Sequence, residues 1–317
     1  MTFLLELLMQ GLQWVLVLAL APLLIGFIRR VKARLLRRRG ASIFQPWRDM
    51  LRLLRKEVVL AENASWLYRA APYVIFAVTW VAASLVPTFA TGLVFSWTAD
   101  LIAIIAFLGS ARFFLALAGM DVGTSFGGIG ASREMMFGSL AEPAMIMIVF
   151  IVSLIAGSTQ LSEIAAYMAT NLELRVSVGF ALIALIIVAI AENGRIPVDN
   201  PATHLELTMV HEAMVLEYSG RHLAVIELAA ALKLLLYISI ISCIFFPWGL
   251  TPGDTGPAGV GYAVAFYILK LAVAGFLLAV FEVSIAKMRI FRVPDFLGTG
   301  LMLGLLGALL VFATRSL

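Results

Sequence analysis

Long apolar stretches alternate with shorter polar ones along the whole chain. Eight apolar segments run at roughly 3–28, 71–92, 99–119, 134–157, 175–193, 223–246, 260–281 and 296–314. Each is close to the ~20 residues that an α-helix needs to cross a bilayer. The pattern predicts an all-α, polytopic membrane protein with about eight transmembrane helices, forming a single integral membrane domain over residues 1–317.

Composition strengthens this prediction. The chain is 62% hydrophobic and only 13% charged, and its mean hydropathy is +1.02, values that exclude an ordinary soluble domain. The first apolar segment carries Glu6 and has no basic residue before it. It is also too long for the core of a signal peptide, so we expect it to remain as the first transmembrane helix.

Basic residues are concentrated on one side of the predicted topology. The loop at 29–69 holds twelve of the 23 lysines and arginines, and with eight spans the loop at 194–222 falls on that same side. Positively charged loops face the cytoplasm, so both loops are predicted to be cytoplasmic and both termini to lie outside.

The first of these loops contains an amphipathic segment. After Pro46, Trp47, Leu51, Leu54 and Val58 form one stripe at helical spacing, and a second stripe holds Arg48, Arg52 and Arg55. This pattern predicts an interfacial helix. It can serve anionic lipid and orientation, or it can dock a soluble partner; the sequence leaves both open.

Four charged residues lie well inside the apolar segments, away from their ends: Arg112, Glu142, Lys233 and Lys270. Insertion scales assign about 2.5–3.5 kcal/mol to each, or roughly 10–14 kcal/mol for four unpaired charges. We therefore expect them to be paired inside the bundle or to line a hydrated path. Glu134, Glu192, Glu227 and Glu282 lie near segment ends, where headgroup water can also satisfy them. The glycine-rich connection at 119–130 is predicted to be a non-helical turn.

The polar stretch at 191–222 holds all three histidines. Asn200–Pro201 is a favourable helix start and Ser219–Gly220 a favourable stop, which predicts a helix of about eighteen residues. On it, Glu206 and Glu217 would share one face, His204 and His211 another, and Glu212 would lie between them. Polar groups pointing in several directions indicate a helix that is broken or surrounded by polar protein.

The chemistry of this stretch favours proton transfer over metal binding. Carboxylates backed by histidine at a membrane edge provide the adjustable pKa values that a relay needs. His211 opens a sequence similar to the zinc motif of metalloproteases, but the second histidine is replaced by Val215. A site from His204, His211 and a carboxylate is the alternative. The single cysteine, Cys243, cannot supply the four thiolates of an iron–sulfur cluster, and there is no phosphate loop or dinucleotide fingerprint.

Four stretches together resemble a known family. They are RRRGASIFQPWRDMLRLLRKE after the first segment, GASREMMFGSLAEP opening the fourth, AENGRIPVDNPATHLEL after the fifth, and EYSGRH before the sixth. They resemble the H subunit of complex I, which joins the peripheral and membrane arms. They resemble still more closely that subunit's counterpart, the membrane anchor subunit of energy-converting [NiFe] hydrogenases and formate hydrogenlyase.

The resemblance implies an eight-helix subunit with no cofactor of its own, in the inner (cytoplasmic) membrane of a prokaryotic cell. The [NiFe] centre and iron–sulfur clusters would lie on hydrogenase large and small subunits and an iron–sulfur subunit, with antiporter-like membrane subunits and lipid as further neighbours. The ion-coupling residues it implies are Glu142, Glu192, Asp199, Glu206, Glu212 and Glu217; we add Arg112 and Lys233 because they are charges within apolar segments. Docking to the soluble module would involve Arg37, Arg38, Arg39 and Arg195.

Two alternatives stay open at this point. Quinone-reducing relatives carry a different run where this chain has RRRGASIFQP, and more acidic residues where it has Ala202 and His204, which favours the hydrogenase branch over a quinone-site subunit of a complex I-type dehydrogenase. A free-standing secondary transporter should show repeated halves with broken spans, and no clear repeat is visible.

Overall fold

The computed structural model describes residues 2–171, 175–199, 210–252 and 256–315, and it consists almost entirely of α-helices. In chain order its elements are α1 (Thr2–Leu35), α2 (Gln45–Leu54), α3 (Trp66–Leu85), β1 (Ala90–Thr91), α4 (Leu101–Asp121), α5 (Ser125–Ala156), α6 (Leu161–Thr170), α7 (Val176–Glu192), α8 (His211–Val215), α9 (Gly220–Phe245), β2 (Thr251–Pro252), α10 (Pro257–Ser284) and α11 (Val293–Arg315).

The predicted helical membrane fold is confirmed. Within the described residues, seven helices are long and apolar enough to cross a membrane: α1, α3, α4, α5, α9, α10 and α11. The fifth apolar segment forms α7, which is shorter. Side-chain caps begin several of these helices, because the first N–H groups of a helix lack partners within it. Ser65 accepts from the Leu67 amide of α3, and Asp100 accepts from the Ile102 amide of α4.

The bundle is built around α9, which contacts α1, α2, α3, α6, α7 and α10. Helix α11 packs against α5 and α7, and α3 packs against α4. Strands β1 and β2 pair in parallel, Ala90 opposite Thr251, and so join the loop after α3 to the loop after α9.

The prediction of a non-helical glycine-rich connection was wrong. Helix α5 begins at Ser125, so Gly127, Gly128 and Gly130 are helical and only the short segment 122–124 turns. Close packing explains these residues. A Cβ at Gly127 would clash with the Gly119 carbonyl oxygen, and one at Gly130 would lie 2.9 Å from the Val210 carbonyl oxygen. The glycines let α4, α5 and the N-terminal end of α8 approach closely.

The predicted eighteen-residue helix was also wrong at its C-terminal end. Its first part lies outside the described residues, but α8 ends at Val215, and Ser219 is the N-cap of α9, which begins at Gly220. Glu217 is therefore not helical and cannot share a helical face with Glu206, which itself lies outside the described residues. The segment ends early because Tyr218 and Ser219 make hydrogen bonds to Tyr68 and Val59.

Helix α2 is present but packs differently from its predicted stripes. It ends at Leu54, so Val58 lies beyond it. Pro46 and Met50 are buried, while Leu51 and Leu54 are exposed together with Arg48, Arg52 and Arg55. The inward face is set by tertiary contacts with α1 and α9, including a hydrogen bond from the Trp47 indole N–H to the Ala19 carbonyl oxygen at 3.1 Å.

Candidate functional site

Arg112 is the centre of a buried ion-pair cluster between four helices. It lies near the middle of α4, and its side chain is 5% exposed. Its guanidinium donates to Glu142 Oε1 on α5 at 2.9 Å and pairs with Glu192 at the end of α7. Arg112 Nε also lies 3.6 Å from Glu134 Oε1 on α5. One cation thus joins three carboxylates from two other helices.

The cluster extends to α9 through Glu192. Lys233 Nζ lies 2.8 Å from Glu192 Oε2, and the Glu192 side chain is 3% exposed. We call these five residues the membrane cluster: Arg112, Glu134, Glu142, Glu192 and Lys233. Three carboxylates therefore share two cations within a bundle of membrane-spanning helices, where unpaired charge is costly.

A glycine makes room for this arrangement. Glu134, Gly138 and Glu142 are spaced by four residues on α5, so they form one row along the helix. A Cβ at Gly138 would clash with Arg112 Nη1 and lie 3.1 Å from Arg112 Cδ. The guanidinium therefore lies across the gap at Gly138, between the two glutamates.

A second group of ion pairs lies at the ends of α1, α7 and α10. Glu282 is buried near the end of α10; its Oε2 lies 2.6 Å from Lys32 Nζ, and its Oε1 lies 3.5 Å from Arg195 Nη1. Lys287 Nζ lies 2.8 Å from Asp199 Oδ1. We call these five residues the edge cluster: Lys32, Arg195, Asp199, Glu282 and Lys287. Burial lowers the pKa of the Arg195 guanidinium, and Glu282 opposes that shift.

The segment 193–199 connects the two clusters. It begins directly after Glu192 and contains Arg195 and Asp199. The Asp199 carboxylate also accepts from the Val210 amide at 3.3 Å, which ties this segment to the start of α8. A displacement of the segment would therefore reach both clusters through the backbone.

The EYSG motif fixes the first loop against the start of α9. The Ser219 hydroxyl accepts from the Val59 amide and donates to the Val59 carbonyl oxygen, each at 2.8 Å. The Tyr218 ring stacks on Tyr68 with centroids 4.0 Å apart. Gly220 has φ +53°, and a Cβ there would lie 2.5 Å from the Glu57 carbonyl oxygen. The two loops are thus in direct contact at Glu57, Val59, Ser219 and Gly220.

The other predicted site residues are more dispersed. Glu217 is exposed beside Tyr218, and Glu212 lies half-buried in α8. Arg37, Arg38 and Arg39 are exposed just after α1, with Arg37 at φ 56°. Arg195, in contrast, has a side chain only 14% exposed and is engaged by Glu282. Of the four arginines predicted to dock a partner, the three after α1 are therefore the accessible ones.

His211 lies in the same region as both clusters. Burial lowers the pKa of its imidazole, while the charges of Glu134 and Asp199 raise it and that of Lys233 lowers it. Its partner in the alternative metal site, His204, lies outside the described residues. Within the described ranges, no group of three or more histidine, cysteine, aspartate or glutamate side chains could hold a metal ion.

Among the described residues, a backbone carbonyl group and an aromatic ring contact Lys270. Its Nζ donates to the Phe246 carbonyl oxygen at 2.6 Å and lies 5.5 Å from the Phe266 ring centroid. A cation at the C-terminal end of α9 satisfies carbonyl groups that have no partner within the helix. Its place within an apolar segment therefore has a structural explanation.

Four residues of the two clusters were not among the predicted site residues: Glu134, Glu282, Lys32 and Lys287. The sequence could have indicated Glu134, because four-residue spacing places Glu134, Gly138 and Glu142 on one helix face. That spacing predicts two carboxylates with a gap between them. Lys32 and Lys287 resemble ordinary positive-inside residues. Only the three-dimensional structure brings them to Glu282 and Asp199.

The described helices and the membrane cluster define a multi-pass helical membrane protein with charged residues inside its bundle. Comparison with known proteins then identifies its relatives. The chain belongs to the NADH dehydrogenase family, whose model matches residues 8–313.

Three similar proteins are subunits or components of formate hydrogenlyase, hydrogenase-4 and NADH-quinone oxidoreductase. Formate hydrogenlyase subunit 4 of Escherichia coli (strain K12) is 34% identical over 277 residues, covering 87% of this chain and 89% of the relative. Hydrogenase-4 component C of the same organism is 35% identical over 237 residues, covering 75% and 74%. The H subunit of NADH-quinone oxidoreductase from Salinibacter ruber (strain DSM 13855 / M31) is 29% identical over 247 residues, covering 73% and 70%.

A solved structure has the same fold. A chain of the membrane-bound sulfane sulfur reductase, an archaeal respiratory membrane complex, superimposes with a TM-score of 0.80 at 22% identity, covering 98% of this chain and 99% of that one. The predicted resemblance to the H subunit of complex I and to hydrogenase membrane subunits is confirmed.

Proposed function

We propose that this protein anchors a [NiFe] hydrogenase module to a prokaryotic inner membrane and couples its electron transfer to proton or sodium translocation. The two hydrogenase relatives are more similar in sequence than the NADH-quinone oxidoreductase relative, which supports the hydrogenase assignment. The [NiFe] centre and iron–sulfur clusters belong to partner subunits in this proposal. This chain contributes charged residues, and antiporter-like membrane subunits complete the path.

The membrane cluster is the observation that carries the coupling proposal. Among the described residues, its three carboxylates share two cations, so one carboxylate is held without a full counter-charge. Burial raises the proton affinity of a carboxylate and a nearby cation lowers it. Small movements of Arg112 or Lys233 would therefore decide which carboxylate carries a proton or attracts a cation.

The segment 193–199 provides a route from the loops to this cluster. Redox chemistry in a soluble module docked on the loops would act first on the edge cluster, which includes Arg195 and Asp199. Since Glu192 directly precedes this segment, a shift there would change the distance from Glu192 to Arg112 and Lys233. The coupling step assigned to this chain is that redistribution of charge.

Glu142 and Glu206 are the residues with which to test coupling. We expect Glu142→Gln and Glu206→Gln to leave assembly and dye-linked hydrogen oxidation nearly intact, because the redox centres lie on partner subunits. Redox-driven ion pumping in vesicles should fall several-fold. The matched control is Glu163→Gln on α6, an exposed glutamate that belongs to neither cluster; it should pump normally.

Two results would count against this proposal. Loss of dye activity together with assembly would mean that the two carboxylates hold the complex together. Full pumping in both variants would remove them from the coupling path.

The docking proposal rests on the three exposed arginines after α1. Replacing Arg37, Arg38 and Arg39 together with Gln should make release of the soluble module more salt-sensitive, because surface charge contacts are screened over ~8–10 Å at ordinary salt. The control with equal charge change is the triple replacement of Arg48, Arg52 and Arg55 with Gln, on α2 and at its C-cap. If both triple variants release the module at the same salt concentration, the contact is not specific to residues 37–39.

A further inference from the structure

A groove of about 700 Å³ runs along the outside of the bundle between α4 and α5. Ile102, Ile105 and Phe113 line it from α4, and Ile146 and Phe150 line it from α5. From Ile102 to Phe113 the groove extends about 17 Å at the helical rise of ~1.5 Å per residue. That length corresponds to three turns of a helix lying alongside.

The membrane cluster opens into this groove. Glu142 and Arg112 are among the lining residues. The Glu142 side chain is 48% exposed, whereas the Arg112 side chain is 5% exposed. Gly109 on α4 leaves room in front of the carboxylate, since a Cβ there would lie 3.5 Å from Glu142 Oε1. An anionic group is thus presented from the wall of a mostly apolar groove, whose remaining polar lining residues are Ser110, Ser153 and Thr159.

The charge of the cluster indicates what should lie opposite. Arg112 is shared among Glu134, Glu142 and Glu192, and Lys233 contacts Glu192. Glu142 therefore receives part of one cation and turns its free side toward the groove. At this depth water is absent on the lipid side, so polar groups are expected to find partners in protein.

An acyl chain can fill the apolar part of the groove but offers Glu142 neither positive charge nor a hydrogen-bond donor. Lipid headgroups lie at the membrane surfaces, whereas Glu142 stands near the middle of α5. A helix from another protein can present a lysine or arginine at that depth. Small residues such as Gly109 also favour close helix approach in membranes.

We propose that this groove receives a transmembrane helix of a neighbouring membrane subunit, which places a lysine or arginine against Glu142. The inference rests on the proposed function only in requiring a multi-subunit membrane complex. It adds the surface at which the neighbour binds and the chemistry of its contact residue. Lys or Arg from the neighbour would provide the counter-charge that the described residues of this chain do not supply.

The first test is photo-cross-linking in the intact complex. Ile146→Cys, in a Cys243→Ser background, carries a benzophenone maleimide in the groove; Ile146 is 59% exposed. Met302→Cys on the outward face of α11, 61% exposed, is the comparison position. We expect the probe at position 146 to react with a transmembrane helix that has Lys or Arg within one turn of the cross-linked residue, in higher yield than at position 302.

Cross-linking at position 146 to lipid alone would overturn the proposal and assign the groove to acyl chains. A cross-linked helix without a nearby Lys or Arg, or equal yields at both positions, would overturn it as well. Each outcome is read by mass spectrometry of the adduct.

The second test is charge exchange between the two subunits. Glu142→Lys should reduce the amount of the neighbouring subunit in the purified complex at least about tenfold, which corresponds to ~1.4 kcal/mol. Replacing the mapped Lys or Arg of the neighbour with Glu should restore it. Glu142→Gln removes the negative charge without reversing it, so it should retain most of the neighbouring subunit; restoration by the exchanged pair guards against a folding defect in the lysine variant. Failure of the exchanged pair to reassemble would contradict the proposed contact.

These tests are separable from the coupling proposal. If cross-linking fails while Glu142→Gln still abolishes pumping, Glu142 acts without a protein neighbour in the groove. If cross-linking and charge exchange succeed while pumping is unaffected by Glu142→Gln, the groove is a subunit interface and the coupling proposal fails.

Discussion

The membrane cluster and the edge cluster contain the same kinds of residue in two different surroundings. In the membrane cluster, Arg112 and Lys233 stand near the middles of α4 and α9, and three carboxylates share them. In the edge cluster, Glu282 meets Lys32 and Arg195 where helices end and loops begin.

The difference shows how position determines what an ion pair can do. Lys32 at the edge has a side chain 27% exposed, so water can stabilise it if the pair opens. The Arg112 side chain is 5% exposed, so its charge is stabilised by the three carboxylates and not by water. The edge cluster can therefore open toward water at lower cost than the membrane cluster, whose charges depend on one another inside the bundle.

Removing the central cation should have the largest effect on stability. We expect Arg112→Gln to lower the free energy of unfolding by about 3–5 kcal/mol, because it leaves buried carboxylates without their counter-charge. Arg52→Gln is the control, since the Arg52 side chain is 67% exposed and its Nη1 lies 3.9 Å from Asp49 Oδ1. This variant should change the free energy of unfolding by less than about 1 kcal/mol. Denaturation in mixed micelles measures the free energy of unfolding of both variants. Equal decreases in the two variants would show that the buried and the exposed ion pair contribute equally to stability.

The edge cluster should respond less strongly. Glu282→Gln should cost about 2–3 kcal/mol, between the values for buried and surface pairs, because Lys32 can turn toward water. Raising the salt concentration should reduce this loss but leave that of Arg112→Gln nearly unchanged, as screening reaches exposed charges more than buried ones. A similar salt response in both variants would show that the two clusters have comparable access to solvent.

The smallest expected effect concerns the gap in α5 that the Arg112 guanidinium occupies. Gly138→Ala should destabilise the protein by about 1–2 kcal/mol, because its Cβ would push against Arg112. Gly128→Ala in the same helix has nothing within 4 Å of its Cβ. It should be neutral or stabilising by up to about 1 kcal/mol. If the two alanine variants have the same free energy of unfolding, the gap at Gly138 does not position the Arg112 guanidinium.

Hydrophobicity and insertion cost predicted much of the fold and part of the site. The apolar segments became the long helices plus α7 because each is long enough to satisfy its backbone in lipid. Arg112, Glu142 and Lys233 stood out as charges within apolar segments, and the structure brings them into one cluster through Glu192.

Long-range contacts account for what the sequence did not predict. Local turn rules treat glycines as chain breakers, but at Gly127 and Gly130 the absence of a side chain serves helix packing. Helix α8 ends at Val215 although helical periodicity continues, because Tyr218 and Ser219 bind residues more than a hundred positions earlier. Pairs such as Lys32 with Glu282 depend on how α1 and α10 are arranged, which no local pattern contains.

In the proposed function, charge in the membrane cluster changes during turnover of the hydrogenase complex. Redox-triggered infrared difference spectroscopy of the complex would test it directly by recording the carboxylic acid C=O stretch as hydrogen is oxidised. We predict a protonation signal that disappears in Glu142→Gln and persists in Glu163→Gln. An identical carboxyl signal in the wild type and Glu142→Gln, or no carboxyl signal in either, would contradict the account.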